Sequence, residues 1–490
     1  MKKWILAASG TLLVAAIAAA GVFFYLRRDA KTTGEETLVY YTIGKEDEDL
    51  EKVNESLNQL LSKRYGFKVD YRKVDWNIYG DQITDAINLN KEMDVVFASS
   101  VQQGNYKENA KKGVWYPLDD FLAGEGKELY EAIPEILWEG AKVNGHIYGV
   151  PTSKELAAAE QWMYAKELVD KYDIDIDSLN RIEDLEPVFA LIKKNEPEYT
   201  VMELNQYSNN FFAADGYEYI LDYQIPLMVN AEDENVELVN ILETELGEQV
   251  LETLRRYYLA GYINQDAPIR ESQTLQKGEK VFWRQASGGP YAQLDWSLQR
   301  GYEVVASMIG PSIITTGSLN GAYMCVSSSS DNPELACRFL EAVNTDKDVR
   351  NMLNYGIEGE HYSLNEDGQV VLKKDTYSGI AYTQGNYFLL YTREDQPKDL
   401  WEQFQKFNES AIPSQVLLFE PDLSSIEDEI EAVRKVSERY YPALMTGSVD
   451  VKKYLPEYKK ELKQAGIDII KEELQRQLRE WKDHEGDSEK

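Results

Sequence analysis

Cysteine and histidine are scarce in this chain: two cysteines (Cys325 and Cys337) and three histidines (His146, His361 and His484) among 490 residues. That scarcity excludes a disulfide-stapled scaffold, a multi-cysteine zinc site, an iron–sulfur cluster and a multi-histidine metal centre, and no cofactor or metal is expected. Basic residues are also few, 52 against 85 acidic ones, for a net charge of −33. Phosphate recognition needs a cationic footprint, so nucleic acid is not expected as a partner. The phosphate-cradling G-x-x-x-x-G-K-[ST] loop, the H-E-x-x-H zinc helix, the G-x-S-x-G elbow and the EF-hand loop are all missing. Cys325 falls in an apolar strand and Cys337 beside a helix face, where inert buried thiols belong. His146 lies in a turn and reads as a surface or hinge residue. The paired carboxylates of a glycosidase stay compatible with so many acids, because sequence spacing does not reveal their separation in space. The acidic run Glu46-Asp-Glu-Asp49 reads as the charged first turn of a helix.

What is present is a core-forming composition, 43% hydrophobic, with 33 tyrosines as the notable excess. The length suits two to four domains. At the N-terminus, Lys2 and Lys3 precede an uncharged apolar run. Its 22 residues from Ile5 to Leu26 span about 33 Å as a helix, enough to cross a bilayer. Cleavage at the Ala18-x-Ala20 site would leave an exposed apolar end, so an uncleaved signal anchor over residues 1–28 is the favoured reading and a cleaved signal peptide the other. Either way the body is expected outside the cell, anchored at the membrane or secreted. Residues 29–36 read as a polar tether and 486–490 as a disordered tail.

The body opens on a buried-type strand, Thr37–Ile43. A helical stripe follows (Leu50, Val53, Leu57, Leu60, Leu61), then an alternating strand (Phe67, Val69, Tyr71), a helix marked by Ile83 and Ile87, and a second buried strand, Asp94–Phe97. Strand and helix in alternation mean βαβ units and a parallel sheet, with ligands beyond the carboxyl ends of the strands. Those ends are Tyr41–Gly44, Asp75–Asn77 and Ala98–Ser100. Asn144–Pro151 reads as a turn and short strand crossing into a second unit. Trp162–Tyr172 is amphipathic, and residues 173–280 mix helical stretches with polar loops. Gly278–Trp283 returns to strand. Gly321–Val326 is a strand, Pro333–Val343 a helix capped by Asn332, and Thr345–Asp348 a capping box for a helix ending at Gly356. The last 70 residues are helical, with stripes Ile426/Ile430/Val433/Tyr440 and Ile470/Leu474/Leu478/Trp481. Trp115 and Trp138 read as structural.

Several stretches, in order, resemble extracellular solute-binding proteins of carbohydrate ABC importers, the group that includes maltose-binding protein. They are Val143–Pro151, Met163–Tyr172, Gly278–Trp283 with Gly288-Gly-Pro-Tyr291, and Asn332–Leu340. Leu353–Tyr362 and Phe419–Trp481 are similar to a Gram-positive subgroup with a DUF3502-type C-terminal region. Many members carry a lipobox cysteine, which this chain lacks. The resemblance implies an α/β, two-lobed, periplasmic-binding-protein-like (type II) fold with hinge-connected lobes. Lobe one is expected at 37–150 and 318–375, and lobe two at 151–317 and 376–485. It further implies a monomer that binds an oligosaccharide without catalysis and hands it to ABC permease subunits. A glycosidase, a peptide-binding protein and the ligand-binding partner of a sensor kinase stay open as alternatives.

A sugar offers apolar C–H faces to aromatic rings and hydroxyls to polar side chains. On strand-end logic, Tyr41, Trp76, Ser99 and Ser100 are expected to bind ligand from lobe one. By resemblance, Lys154, Glu155 and Gln161 follow the first crossing, Tyr291 falls where the family often has a stacking tryptophan, Trp283 and Arg284 precede it, and Tyr355 closes a capped helix near the third crossing.

Overall fold

The computed structural model describes residues 35–100, 104–157, 159–271 and 279–488. The N-terminal helix expected over 1–28 lies outside these residues, as do Gly278 and the last two residues of the expected tail. Among the described residues no helix is long and apolar enough to cross a membrane.

The chain begins as β1 (Thr37–Ile43), α1 (Leu50–Tyr65), β2 (Lys68–Val74), α2 (Trp76–Asn88) and β3 (Val95–Ala98). The helical stripe works as expected: Val53, Leu57 and Leu61 are fully buried, and Gly66 ends α1 in the left-handed conformation that glycine alone adopts without strain. β1 pairs parallel with β2 and β3. The acidic run is not a first turn. It precedes α1, Asp49 makes no cap bond, and Asp47 instead pairs with the buried Lys73 ammonium.

The chain leaves this sheet through β4 (Gly149–Pro151) and, beyond residues 152–157, enters a second sheet as β5 (Ala159–Ala165). Met163–Ala165, expected to be helical, is strand, and the helix starts at Lys166. All seven residues of β5 are buried, so both of its faces are covered. The second sheet is completed by β6 (Tyr199–Met202), β7 (Lys280–Gly288) and β8 (Val304–Ile309), with α3 (Glu245–Leu259) and α4 (Ala292–Arg300) between them. Its order is β8-β5-β7-β6, with β5 antiparallel to both neighbours. The stretch expected as helices and polar loops therefore holds β6, and also a three-stranded antiparallel sheet around Leu227–Asn230.

The chain returns through 310–322 to β9 (Tyr323–Val326), which slots antiparallel between β3 and β4. The first sheet thus reads β2-β1-β3-β9-β4. Then come α5 (Pro333–Thr345) and α6 (Lys347–Tyr355). The caps differ from expectation by one residue. Asn332 makes no cap bond, and Asp346, not Thr345, accepts the backbone N–H groups of Asp348 and Val349 at 2.9 and 3.3 Å. Cys325 and Cys337 are both free and buried.

Two hydrophobic cores organise the molecule, one around β1, β3, β9 and α5, the other around β5, β6, β7 and the C-terminal helices. Residues from 376 onward, expected with lobe two, lie on the first core: Tyr377, Ile380, Tyr382 and Phe407 pack there. Arg350 and Asn351 of α6 are among the residues that hold them there, Asn351 donating to Leu389 O at 2.8 Å. The fully buried Arg350 guanidinium donates to the carbonyls of Ala381 and Asn386, at 2.9 and 3.2 Å. α7 (Leu400–Ser410) follows, and the chain joins the second core only at Val416 and Phe419. There α8 (Glu427–Met445), α9 (Val451–Ala465) and α10 (Ile467–Ser488) pack, with Ile470, Leu474 and Leu478 fully buried as their spacing requires.

Three chain passages join the two halves, and Ile313–Ile314 pairs with Ile412–Pro413 between them. Leu418, in the last passage, holds a left-handed backbone (φ 68) and donates its N–H to Thr316 Oγ1 at 2.7 Å.

Candidate ligand cleft

Both sheets turn a particular edge toward the crossings. In the first sheet it is the carboxyl ends of β1, β2 and β3 with the start of β9, since Tyr323 pairs with Ala98 and Pro151. In the second it is the carboxyl ends of β6, β7 and β8 with the start of β5, since Glu160 pairs with Ser287 and Ile309. Open α/β sheets bind ligands beyond such edges.

A cleft of about 370 Å³ opens at the second of these edges. Its polar wall comes from the end of β6 (Glu203, Asn205), the end of β7 (Arg284, Gln285, Ser287), the start of β5 (Glu160) and Arg270; Tyr207 and Trp296 add aromatic faces. A smaller hollow of about 190 Å³ continues it and shares Glu160, Asn209 and Ser287. Gly288 is needed here, because a Cβ would stand 2.7 Å from Ala292 Cβ and 3.0 Å from the Trp296 ring.

The cleft's charges are compensated from within. Glu203, 2% exposed, meets Arg300 at 2.9 Å and Arg270 and Arg284 at 3.4 Å. Arg270 also forks onto Glu279 at 3.0 and 2.8 Å. Of the residues that line the cleft, two carboxylates, Glu160 and Glu203, stand against two guanidiniums, Arg270 and Arg284. Burial, and then the like charge of Arg300, push the Arg284 guanidinium down to about 10, so it stays a cation at neutral pH. Such a wall presents fixed donors and acceptors with no surplus charge. Among the described residues no group of histidine, cysteine, aspartate and glutamate side chains is arranged to hold a metal ion.

Of the residues expected from sequence, Arg284 lines the cleft. Trp283 does not: it is fully buried, 5.6 Å from the Trp162 ring and 5.9 Å from Phe189, because successive strand residues face opposite sides. The Gln161 amide is spent on bracing the turn after β7, donating to Gly288 O at 2.8 Å. Tyr291 sits in that turn with φ 63, and its hydroxyl reaches Asp399 at 3.4 Å. Lys154 and Glu155 lie in the first crossing, 3.4 Å apart, where Asn408 of α7 holds Lys154 O and the Leu156 N–H at 3.0 and 2.8 Å. On the first sheet, the Tyr41 hydroxyl accepts from Arg72 at 2.6 Å and its ring is buried. Trp76 is 37% exposed at the start of α2. Ser99 is buried, while the enclosed Ser100 hydroxyl has no hydrogen-bond partner among the described residues. Tyr355 stands apart from this edge, donating to Tyr391 O at 2.9 Å.

Sequence reasoning missed Glu160, Glu203, Asn205, Tyr207 and Trp296. Tyr207 is an aromatic among small polar residues (Asn205-Gln-Tyr-Ser-Asn-Asn210) beyond β6, a strand that the pattern of residues 173–280 does not reveal. Trp296 sits in a helix with no buried residue, where a tryptophan among polar neighbours is itself a signal.

Comparisons with known proteins agree with this architecture. A carbohydrate ABC transporter substrate-binding protein of Streptococcus pneumoniae serotype 4 (strain ATCC BAA-334 / TIGR4) is 27% identical over 98% of this chain and 99% of its own length. The crystal structure of the N-glycan transport solute binding protein NgtS from S. pneumoniae superposes with a TM-score of 0.80 at 27% identity, covering 91% of this chain and 99% of that one. Against NgtS in complex with Man1GlcNAc and with Man5GlcNAc, both at 26% identity and 91% of this chain, the TM-scores are 0.68 and 0.63. Residues 415–483 match DUF3502, a domain of unknown function, and residues 57–357 match the bacterial extracellular solute-binding proteins. The chain, two-lobed and mixed α/β, belongs to the bacterial extracellular solute-binding protein family.

Proposed function

We propose that the protein captures an uncharged oligosaccharide between its lobes and delivers it to the permease of an ABC importer. The observation that carries this is the wall of the cleft. Half-buried Trp296 and exposed Tyr207 stand beside Arg284, Asn205, Ser287 and Glu160, an aromatic-plus-polar set suited to sugar faces and hydroxyls. Internal charge balance favours a neutral ligand, and the substrate-binding relative named above supports the carbohydrate class.

On this reading lobe one comprises about 37–152 and 320–415, lobe two about 159–310 and 416–485, with the passages between them as hinge. Trp76, Ser100, Lys154 and Glu155 complete the contact set from lobe one and the crossing. The fall in TM-score from 0.80 to 0.68 and 0.63 on going from NgtS to its glycan complexes, at nearly constant identity, supports an open arrangement here that closes on ligand. Ligand favours the closed form only through the contacts it adds there. The protein acts as a monomer outside the cell, tethered through its N-terminal apolar segment.

Isothermal titration with Man1GlcNAc, Man5GlcNAc and neutral gluco-, xylo- and manno-oligosaccharides tests the proposal. Saturable heat with at least one series is expected. Silence across all of them, or heat only with peptides, overturns it.

A further inference from the structure

Amides and hydroxyls alone can hold a neutral sugar, yet three arginines converge along and behind this cleft. They come from three separate places in the chain: Arg270 follows the turn Ala267–Ile269, Arg284 lies in β7, and Arg300 ends α4. All three side chains are largely withdrawn from water. Buried guanidiniums are destabilising unless an anion meets them. One carboxylate meets all three, that of Glu203, with Arg300 at 2.9 Å and Arg270 and Arg284 at 3.4 Å. The backbone places it there. Glu203 is the first residue beyond β6, and its N–H donates to Trp283 O at 3.0 Å, next to Arg284. The Asn264 amide fixes the following residue, accepting from Leu204 N at 2.9 Å and donating to Leu204 O at 3.0 Å.

A single carboxylate does not exhaust three guanidiniums. Arg270 gives two donors to Glu279, and Arg284 Nε donates to Gln285 O at 3.1 Å. The enclosed Nη1 of Arg300, a side chain only 6% exposed, has no hydrogen-bond partner among the described residues. Guanidiniums gathered on one point are the arrangement that recognises a carboxylate. Here that carboxylate belongs to the chain itself. Glu203 lines the cleft, so the point of convergence borders the space a ligand enters. With Glu203 removed, the cleft wall would set Arg270 and Arg284 against Glu160 alone.

We propose that Glu203 is a resident counter-anion: it fills an anion site built by Arg270, Arg284 and Arg300 and so denies that site to the carboxylate of an acidic sugar. The proposal rests on the carbohydrate reading above and adds the residue on which rejection of acidic sugars depends. Wild type, E203D, E203Q and E203A are titrated calorimetrically with Man5GlcNAc, the neutral series and trigalacturonate. Melting curves are recorded in acetate and in acetamide at matched ionic strength. Wild type and E203D, which keep a carboxylate, give no heat with trigalacturonate. E203A opens the site and binds trigalacturonate at least about tenfold more tightly than wild type, the order of a hydrogen bond to a charged group. E203Q gains less, because its amide still fills the space. Acetate competes with trigalacturonate for E203A and raises the melting temperature of that variant but not of wild type, whereas acetamide does neither. A glutamate with a packing role alone would show the melting deficit without this anion dependence. Equal binding of trigalacturonate by wild type and E203A, folded E203A and E203Q that both ignore it, or a loss of folding that acetate does not reverse overturns the counter-anion and leaves the carbohydrate reading standing. If no neutral series binds wild type while acetate still rescues E203A, the anion site stands and the carbohydrate reading falls.

Discussion

Glu218 lies half-buried in the hollow that continues the cleft, bonded to the Ser414 hydroxyl of the last hinge passage. Burial raises its carboxyl above the ordinary range, and the serine bond offsets this only in part. A raised carboxyl binds its proton more readily in the folded state. Its contribution to stability is therefore complete below the unfolded value of about 4.3 and is lost as pH rises through the folded value. Glu218→Gln, which keeps an acceptor for Ser414, is expected to raise the melting temperature at pH 7 and to give no advantage at pH 4; a gain that is the same at both values would refute the assignment. Part of this site was legible from residue types alone. Arg284, expected from sequence to bind ligand, lines the cleft, and Trp76 and Ser100 follow the carboxyl ends of β2 and β3. Trp283 was not distinguishable from its neighbour, since adjacent strand residues face opposite ways and the register is set by pairing with β5 and β6. Glu203 could not have been singled out among 85 acids; what distinguishes it is three arginines drawn from positions 270, 284 and 300, which only the fold brings together.

At the scale of elements, local signals did well where the apolar pattern is strong, as in the run of β1 and the stripe of α1, and they placed the start of α6 to within a residue. They failed where tertiary contacts override them. The run Glu46–Asp49 resembles a helix start, yet Asp47 is drawn off to the Lys73 ammonium, which is 1% exposed and also donates to Ser378 O at 2.6 Å. This cluster ties the β1–α1 loop to the 376–378 segment. Asp47→Ala leaves a buried cation with one carbonyl partner, and removing one member of such a pair typically costs about 3 kcal/mol or more. Thermal unfolding of this variant should show a clearly lowered transition for lobe one, and an unchanged transition would place the pair's weight elsewhere. β5 was misread for a different reason. Covered on both faces, it has no polar alternation to separate it from the helix that follows.

For the whole molecule, the alternation of strands and helices over residues 37–98 was enough to announce a parallel sheet. The two-lobed plan came from resemblance, and the placement of 376–415 on the first core came from neither, because it depends on buried contacts from distant residues, Arg350 and Asn351 among them. If the lobes swing about the three passages, small-angle scattering should show a smaller radius of gyration with saturating oligosaccharide than without. Identical curves, with binding verified in the same sample, would mean capture without closure. The insertion of β9 between β3 and β4 also bears on biogenesis. Until residue 326 has left the ribosome, the middle of the first sheet is a gap edged by Val95–Ala98 and Gly149–Pro151. The first-made strands of lobe one must therefore wait, unfinished, while residues 152–322 are translated. A chaperone that shields bare strand edges would find its client there.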